Sequence, residues 1–200
     1  MRTALLICAL CASATSATAR TDAYPAKAVF DAFRDGCGLI ETQEVTSARL
    51  KSLGWQKIDT QDQDGALADF VAFSTKAGHA AAAAEGATIK DLEAFEKTVS
   101  DEKVYIILDE VAADGIRISG CQLYDFGEAR SIPPSFGTEV LGREPNNALD
   151  RPEIQRSEWS PGIHPAHDSF KIFYVPSDSP VVGTVRFSGI ALMSDTVGAE

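Results

Sequence analysis

Two histidines and an aspartate lie close together in the segment His164-Pro165-Ala166-His167-Asp168. Zinc takes imidazole nitrogen and carboxylate oxygen as ligands, so His164, His167 and Asp168 are candidate metal ligands for a hydrolytic site. The neighbouring prolines predict a loop, and the segment lacks the glutamate of the helical His-Glu-x-x-His motif. An exposed loop with two ordinary histidines is therefore the favoured interpretation, with the zinc site as its alternative.

The turn Thr60-Gln61-Asp62-Gln63-Asp64-Gly65 has side-chain oxygens at its first, third and fifth positions and glycine at its sixth, like the start of a calcium-binding loop. Val71 occupies the twelfth position, where such a loop needs a bidentate glutamate. We therefore interpret this segment as an acidic turn that leads into a helix.

The charge balance restricts the classes of partner. The 200 residues contain 18 Lys and Arg against 29 Asp and Glu, a net charge of −11. Basic residues are scattered, and no glycine-rich phosphate loop or Gly-x-Ser-x-Gly motif is present. Nucleic acid is therefore not expected as a partner, whereas cationic molecules are favoured.

The first residues have the pattern of an export signal. Arg2 precedes a nine-residue apolar stretch at 4–12, and Ala17-Thr18-Ala19 matches the small-x-small pattern of a cleavage site. We expect residues 1–19 to be removed between Ala19 and Arg20. No later stretch is long and apolar enough to span a membrane, so a periplasmic or secreted, soluble protein is predicted.

The cysteines suggest one disulfide bond. Cys8 and Cys11 lie in the expected signal peptide, and a lipid anchor there is disfavoured because bulky residues occupy the position where a lipoprotein signal has a small one. Cys37 and Cys121 remain, and two cysteines in an oxidising compartment most simply pair. A redox-active thiol is the alternative, but it lacks a Cys-x-x-Cys motif.

Apolar spacing predicts helices in the first half of the chain. Phe30, Phe33 and Cys37 lie on one face of a helix over 25–37, and Thr46 could cap a second helix that Gly54 ends. Asp64 could cap a third. A fourth predicted helix starts at Thr88 and carries its apolar positions at Ile89, Leu92, Phe95 and Val99.

Two strands follow, at 104–111 and 116–124, with the hairpin signal Asp114-Gly115 between them. This turn predicts that Leu108 faces Cys121 and that Ile106 faces Leu123. The helix carrying Cys37 should then pack on the same side of the sheet.

A short helix from Ser135 to near Gly142 and a polar loop over Arg143–Pro152 come next. Further strands are expected at 154–159, 169–175 and 184–193, with a frayed tail after them. The predicted fold class is α+β, with N-terminal helices packed on one face of an antiparallel sheet, in a single domain over residues 20–200.

The Phe30/Phe33/Cys37 helix, the Gly54-Trp55 pair and the strand with Cys121 and Tyr124 resemble small exported proteins of alphaproteobacteria whose function is unknown. The resemblance implies only the exported compartment and the disulfide. It assigns no functional residue.

These observations favour an exported binding or interaction module without catalytic activity or cofactor. Its partner would be a protein or small molecule, with a cationic one favoured, and the expected contact surfaces are the loops Arg143–Pro152 and Pro161–Asp168. The alternative is a zinc-dependent hydrolase that uses His164, His167 and Asp168. A structural component of the cell envelope is a third hypothesis.

Overall fold

The computed structural model describes residues 22–60 and 65–199. Its helices are α1 (Ala26–Cys37), α2 (Gln43–Ser52), α3 (Ala66–Glu85), α4 (Ser135–Leu141) and α5 (Val182–Val185). Its strands are β1 (Gln56–Ile58), β2 (Thr88–Ile89), β3 (Glu93–Val99), β4 (Glu102–Ala113), β5 (Ile116–Phe126), β6 (Asn147–Arg151), β7 (Ile154–Trp159), β8 (Ser169–Val175) and β9 (Gly189–Ala199). The expected signal peptide 1–19 and residues 61–64, including Asp64, lie outside the described residues.

The strands pair antiparallel in one sheet, in the order β1-β3-β4-β5-β9-β8-β7-β6, and β2 pairs with β4. Together with the helices and one disulfide bond this confirms the predicted α+β class. The helices are not all N-terminal, because α4 and α5 lie in the second half of the chain.

The β4–β5 hairpin has the predicted register. Leu108 pairs with Cys121, and Ile106 pairs with Leu123. Asp114 and Gly115 connect the strands with φ angles of +54° and +76°. Positive φ at both central residues matches the right-handed twist of the strands, so this turn determines the register over the whole hairpin.

The disulfide joins α1 to the middle of the sheet. Cys37 is bonded to Cys121 of β5, with Cα atoms 5.7 Å apart, as predicted. Phe30 and Phe33 of α1 pack with Ile106 on that side of the sheet, and Leu50 of α2 joins the same core. We call this side the disulfide face.

The opposite face of the sheet has its own core. Leu67 and Val71 of α3 pack there against Ile107 and Tyr124, and Val185 of α5 lies at its margin. Helices therefore cover both sides of the sheet and not one face as predicted. Helices α1, α2 and α4 lie on the disulfide face, and α3 and α5 lie on the opposite face.

The helix predicted from Thr88 is wrong, because the segment forms β2 and β3. β3 pairs with β4 along its length, and Ser100 and Asp101 close the hairpin with φ angles of +49° and +68°. Ala94 and Phe95 are both buried, since each face of the sheet is covered by helices. The strand therefore lacks the alternation by which it would be recognised.

The second helix begins earlier than predicted. Its cap is Thr42, whose Oγ1 accepts a hydrogen bond from the Val45 amide at 3.4 Å. Thr46 lies within α2, and it is buried.

Two expectations for the second half of the chain also change. β6 lies inside the predicted loop Arg143–Pro152. The last strand begins at Gly189, and it stays paired with β5 as far as Ala199, opposite Ile116. The expected frayed tail is thus part of the sheet.

Candidate functional site

His167 lies in the loop between β7 and β8, and it is buried. Only 2% of its surface is exposed, and neither ring nitrogen has a hydrogen-bond partner among the described residues. Burial lowers the pKa of His167 to about 4, and the neighbouring His164 acts in the same direction, whereas Asp195 and the nearby backbone of Gly38 oppose both. The imidazole is therefore neutral at pH 7.

His164 and Asp168 do not join His167 in a common site. The ring centres of the two histidines are 5.7 Å apart, and His164 Nδ1 accepts a hydrogen bond from the Ala166 amide at 3.1 Å. The side chain of Asp168 is exposed. The possible ligand atoms of the three residues do not all lie within 4.8 Å of one another, so they are not arranged to share one metal ion.

The two loops expected as contact surfaces lie against each other. Arg143 donates hydrogen bonds to the carbonyl oxygens of Ser160 at 3.3 Å and Gly162 at 3.4 Å. The Trp159 indole in turn donates to the Arg143 carbonyl at 3.1 Å. These contacts hold the loops together at one end of the sheet.

A buried acidic cluster lies at the end of the β4–β5 hairpin that is opposite its Asp114-Gly115 turn. Glu102 starts β4, Asp125 lies near the end of β5, and Glu128 follows the turn at Gly127. Carboxylate oxygens of these three residues lie within 4.8 Å of one another. Among the described residues this is the one group of three acidic, histidine or cysteine side chains that is so close.

Arg130 and Tyr24 contact this cluster. Arg130 Nη2 donates to Glu102 at 2.8 Å, and its Nε donates to Glu128 at 2.8 Å. The Tyr24 hydroxyl donates to Asp125 Oδ2 at 3.0 Å, and the Arg130 guanidinium lies 5.5 Å from the centre of the Tyr24 ring. Arg130 thus binds two of the three carboxylates, and Tyr24 binds the third.

The pKa values of the acidic residues in the cluster are perturbed unequally. Burial raises the pKa of Asp125 to about 6; Glu128 and Glu102 add to the rise, whereas Tyr24 and Arg130 oppose it. The hydrogen bonds from Arg130 lower the pKa of Glu128 below its usual value. Asp125 is therefore the member of the cluster that would gain or lose a proton near neutral pH.

A groove of about 990 Å³ opens between α1 and α4, beside this cluster. Its aromatic walls are Tyr24, Phe30 and Phe136, and the rings of Phe30 and Phe136 meet edge to face with centres 5.8 Å apart. Arg130 lines the groove as well, so Tyr24 and Arg130 connect it to the acidic cluster behind. The size and the mainly apolar lining are typical of a small-molecule site.

Charged side chains surround the groove. On α1, Asp31 forms ion pairs with Lys27 at 2.5 Å and with Arg34 at 3.1 Å. On α4, the carboxylate of Glu139 accepts a hydrogen bond from Ser135 at 2.8 Å. Counting the lining and the cluster behind it, five carboxylates face three cations.

The sequence contains one signal for the acidic cluster. The register that pairs Leu108 with Cys121 continues to place Glu102 opposite Gly127, between Asp125 and Glu128. No comparable pattern in the sequence indicates that α4 forms a wall of the groove.

No family model, curated protein or solved structure matches this chain. No helix among the described residues is long and apolar enough to cross a bilayer. The groove, the acidic cluster and the loop histidines are therefore the features from which a function can be inferred.

Proposed function

We propose that this chain is an exported, non-catalytic binding protein whose groove between α1 and α4 holds a small organic cation with an aromatic body. The observation that carries the proposal is the position of the aromatic groove beside a buried cluster of three carboxylates. Aromatic faces and carboxylates both attract organic cations.

The chemistry of the groove supports a cation over an anion. Phe136 is the partly exposed ring of the groove, and the quadrupole of its face favours a positive charge nearby. Tyr24 and Phe30 are buried behind it, where their rings lie against Arg130 and Arg34. In the cluster behind the groove, Arg130 forms ion pairs with Glu102 and Glu128, whereas Asp125 accepts a hydrogen bond from the neutral Tyr24 hydroxyl. The lining itself carries Lys27, Arg34 and Arg130 against Asp31 and Glu139, so the preference for a cation depends on the three carboxylates behind it.

The test compares two indoles of similar size and opposite charge. Isotope-labelled protein is titrated with tryptamine and with indole-3-acetate at pH 7.5, and amide shifts are followed by NMR. Tryptamine should bind with a Kd on the order of 0.1–1 mM, with shifts concentrated in α1 and α4. Equal binding of indole-3-acetate, or shifts outside the groove, would contradict the proposal.

A pair of variants locates the binding. Phe136→Ala removes one aromatic wall and should weaken tryptamine binding by about fivefold, which corresponds to roughly 1 kcal/mol of cation–π contact. Phe73→Ala, at an exposed phenylalanine of α3, is the matched control and should leave the affinity unchanged.

Export is part of the same proposal. It is supported by the pattern of residues 1–19 and by the Cys37–Cys121 disulfide, because such bonds persist in oxidising compartments. Mass spectrometry of the protein purified from the cells that make it should give a chain starting at Arg20. An intact chain that retains Met1 would contradict export by signal cleavage.

The zinc hydrolase alternative receives no support from the geometry. His167 is buried and Asp168 points to the exposed side of the loop, so the candidate ligands do not converge. Elemental analysis of protein purified without chelators should give well under one zinc per chain. Stoichiometric zinc that is lost in His167→Leu would revive this alternative.

A further inference from the structure

A second cavity, of about 220 Å³, lies on the opposite face of the sheet, beneath α3 and α5. Its lining is apolar apart from one hydroxyl group. The lining side chains are Phe70, Tyr124, Ile154, Phe173, Val175, Val185, Phe187, Ala191 and Met193.

The cavity has a simple origin in the sheet. Ala191 of β9 pairs with Tyr124 of β5 on one side and with Phe173 of β8 on the other. The small side chain of Ala191 between the two aromatic rings leaves a gap in this row of paired residues. Phe70 and Phe187, with ring centres 6.4 Å apart, border the gap without filling it.

The Tyr124 hydroxyl is the one hydrogen-bond donor among the lining side chains. Tyr124 is 4% exposed, and its hydroxyl makes no hydrogen bond with the described residues. Burial and the charge of Asp109 raise its pKa, so the group stays protonated and able to donate. A hydroxyl group can donate one hydrogen bond, so this one is available to an acceptor that an occupant carries.

We infer that this cavity binds a small, neutral, mainly apolar molecule that carries one hydrogen-bond acceptor. Apolar cavities of about 150 Å³ in proteins accept benzene, so a volume of 220 Å³ suits a substituted single ring. The lining has no charged side chain to bind an ion. This site is separate from the groove between α1 and α4, and the inference does not depend on the proposed function.

The test uses acetophenone and ethylbenzene, which have similar shapes but differ in a carbonyl acceptor. Both are titrated into the protein with detection by NMR. Both should bind with shifts at Val185 and Ala191, and acetophenone should bind about fivefold more tightly, as expected for one neutral hydrogen bond. Tyr124→Phe keeps the ring and should abolish that preference.

Two filling variants serve as the structural check. Ala191→Met and Val185→Phe each place a larger apolar side chain in the space and should abolish binding of both probes. Val45→Phe, at an exposed position of α2, is the matched control and should bind normally. Because Val185 is only partly buried, its variant keeps the test valid if Ala191→Met fails to fold.

Binding that survives both filling variants would overturn the inference, as would the absence of binding by either probe. An acetophenone preference that persists in Tyr124→Phe would also overturn it. Phe136→Ala, in the groove, should have no effect on these probes.

Discussion

Asp125 and His167 are buried ionisable residues with perturbed pKa values. Their two shifts have opposite effects on the stability of the protein in acid. Burial raises the pKa of Asp125 to about 6, from an ordinary 3.8, and lowers that of His167 to about 4, from an ordinary 6.5. Below pH 6.5 the folded Asp125 takes up a proton more readily than the unfolded chain does, whereas the folded His167 resists one. Acid therefore favours folding through Asp125 and unfolding through His167.

Removing Asp125 should expose the contribution of His167. In Asp125→Asn the free energy of unfolding should fall by about 1–2 kcal/mol between pH 7 and pH 5, because the unfolded chain then protonates His167 and the folded chain does not. At pH 7 the variant should be more stable than the original chain by about 1–3 kcal/mol, since a buried carboxylate charge is lost. Urea unfolding at the two pH values measures both effects.

Removing His167 should give the opposite slope. In His167→Leu the free energy of unfolding should rise by about 1–2 kcal/mol between pH 7 and pH 5, as the folded Asp125 takes up its proton. The variant also eliminates two buried nitrogens without partners, so it should lose no stability at pH 7. His79→Leu, at the half-exposed histidine of α3, is the control. A rise of the same size in this variant would show that the change in slope is not due to the loss of His167.

At the scale of elements, the turn residues explain why the β4–β5 register was predicted correctly, and the helices on both faces of the sheet explain why β3 was not. The β4–β5 register followed from Asp114-Gly115, because a two-residue turn leaves one way to pair the strands. The β3 prediction was wrong because Ile89, Leu92, Phe95 and Val99 fit a helical spacing by coincidence. The strand state is determined by pairing with β4 and by cover on both faces, neither of which is encoded locally.

The groove could not be predicted, since its walls are far apart in sequence. α1 and α4 meet because both pack on the disulfide face, Phe30 against Phe170 and Phe136 against Phe30.

The metal-ligand spacing of the loop between β7 and β8 was visible in the sequence, but the burial of His167 was not. Gly162 permits this burial, because a Cβ there would lie 2.7 Å from the Cβ of His167.

The position of α4 depends on a glycine. A Cβ at Gly137 would overlap the Trp159 indole, which is fully buried and bonded to the Arg143 carbonyl. Gly137→Ala should therefore destabilise the protein by about 1–3 kcal/mol, although alanine is the better helix former. It should also weaken tryptamine binding, because α4 carries one wall of the groove.

The control for this variant is Gly183→Ala in α5. A Cβ at Gly183 meets no atom within 4 Å, so only the helix propensity changes, and the stability should rise by up to about 1 kcal/mol. Thermal unfolding of the two variants gives the comparison. Equal changes in the stability of the two variants would show that the contact between Gly137 and Trp159 does not position α4.

At the scale of the whole molecule, one covalent bond links the first helix to the middle of the sheet. Cys37 and Cys121 are 84 residues apart, and the bond closes a loop that contains α2, α3 and four strands. It also holds α1 against the disulfide face, so it fixes one wall of the groove. The covalent framework and the candidate binding site therefore depend on the same helix.

Replacing both cysteines tests this dependence. Cys37→Ala with Cys121→Ala should lower the free energy of unfolding by about 4–5 kcal/mol, the chain-entropy value for a loop of this length. Alanine leaves no unpaired polar group in a site where both cysteines are fully buried. Because the remaining core still holds the sheet, the variant should fold at low temperature, and urea unfolding there measures the loss.

The same variant separates two roles of the bond. If the disulfide acts on the unfolded chain alone, the folded double variant should bind tryptamine as the original chain does. We expect instead a weaker affinity, because α1 carries Phe30 into the groove, closely follows Tyr24, and loses its covalent attachment to β5. Binding of acetophenone on the opposite face should be unchanged, so loss of both ligands would indicate general unfolding rather than a loosened α1.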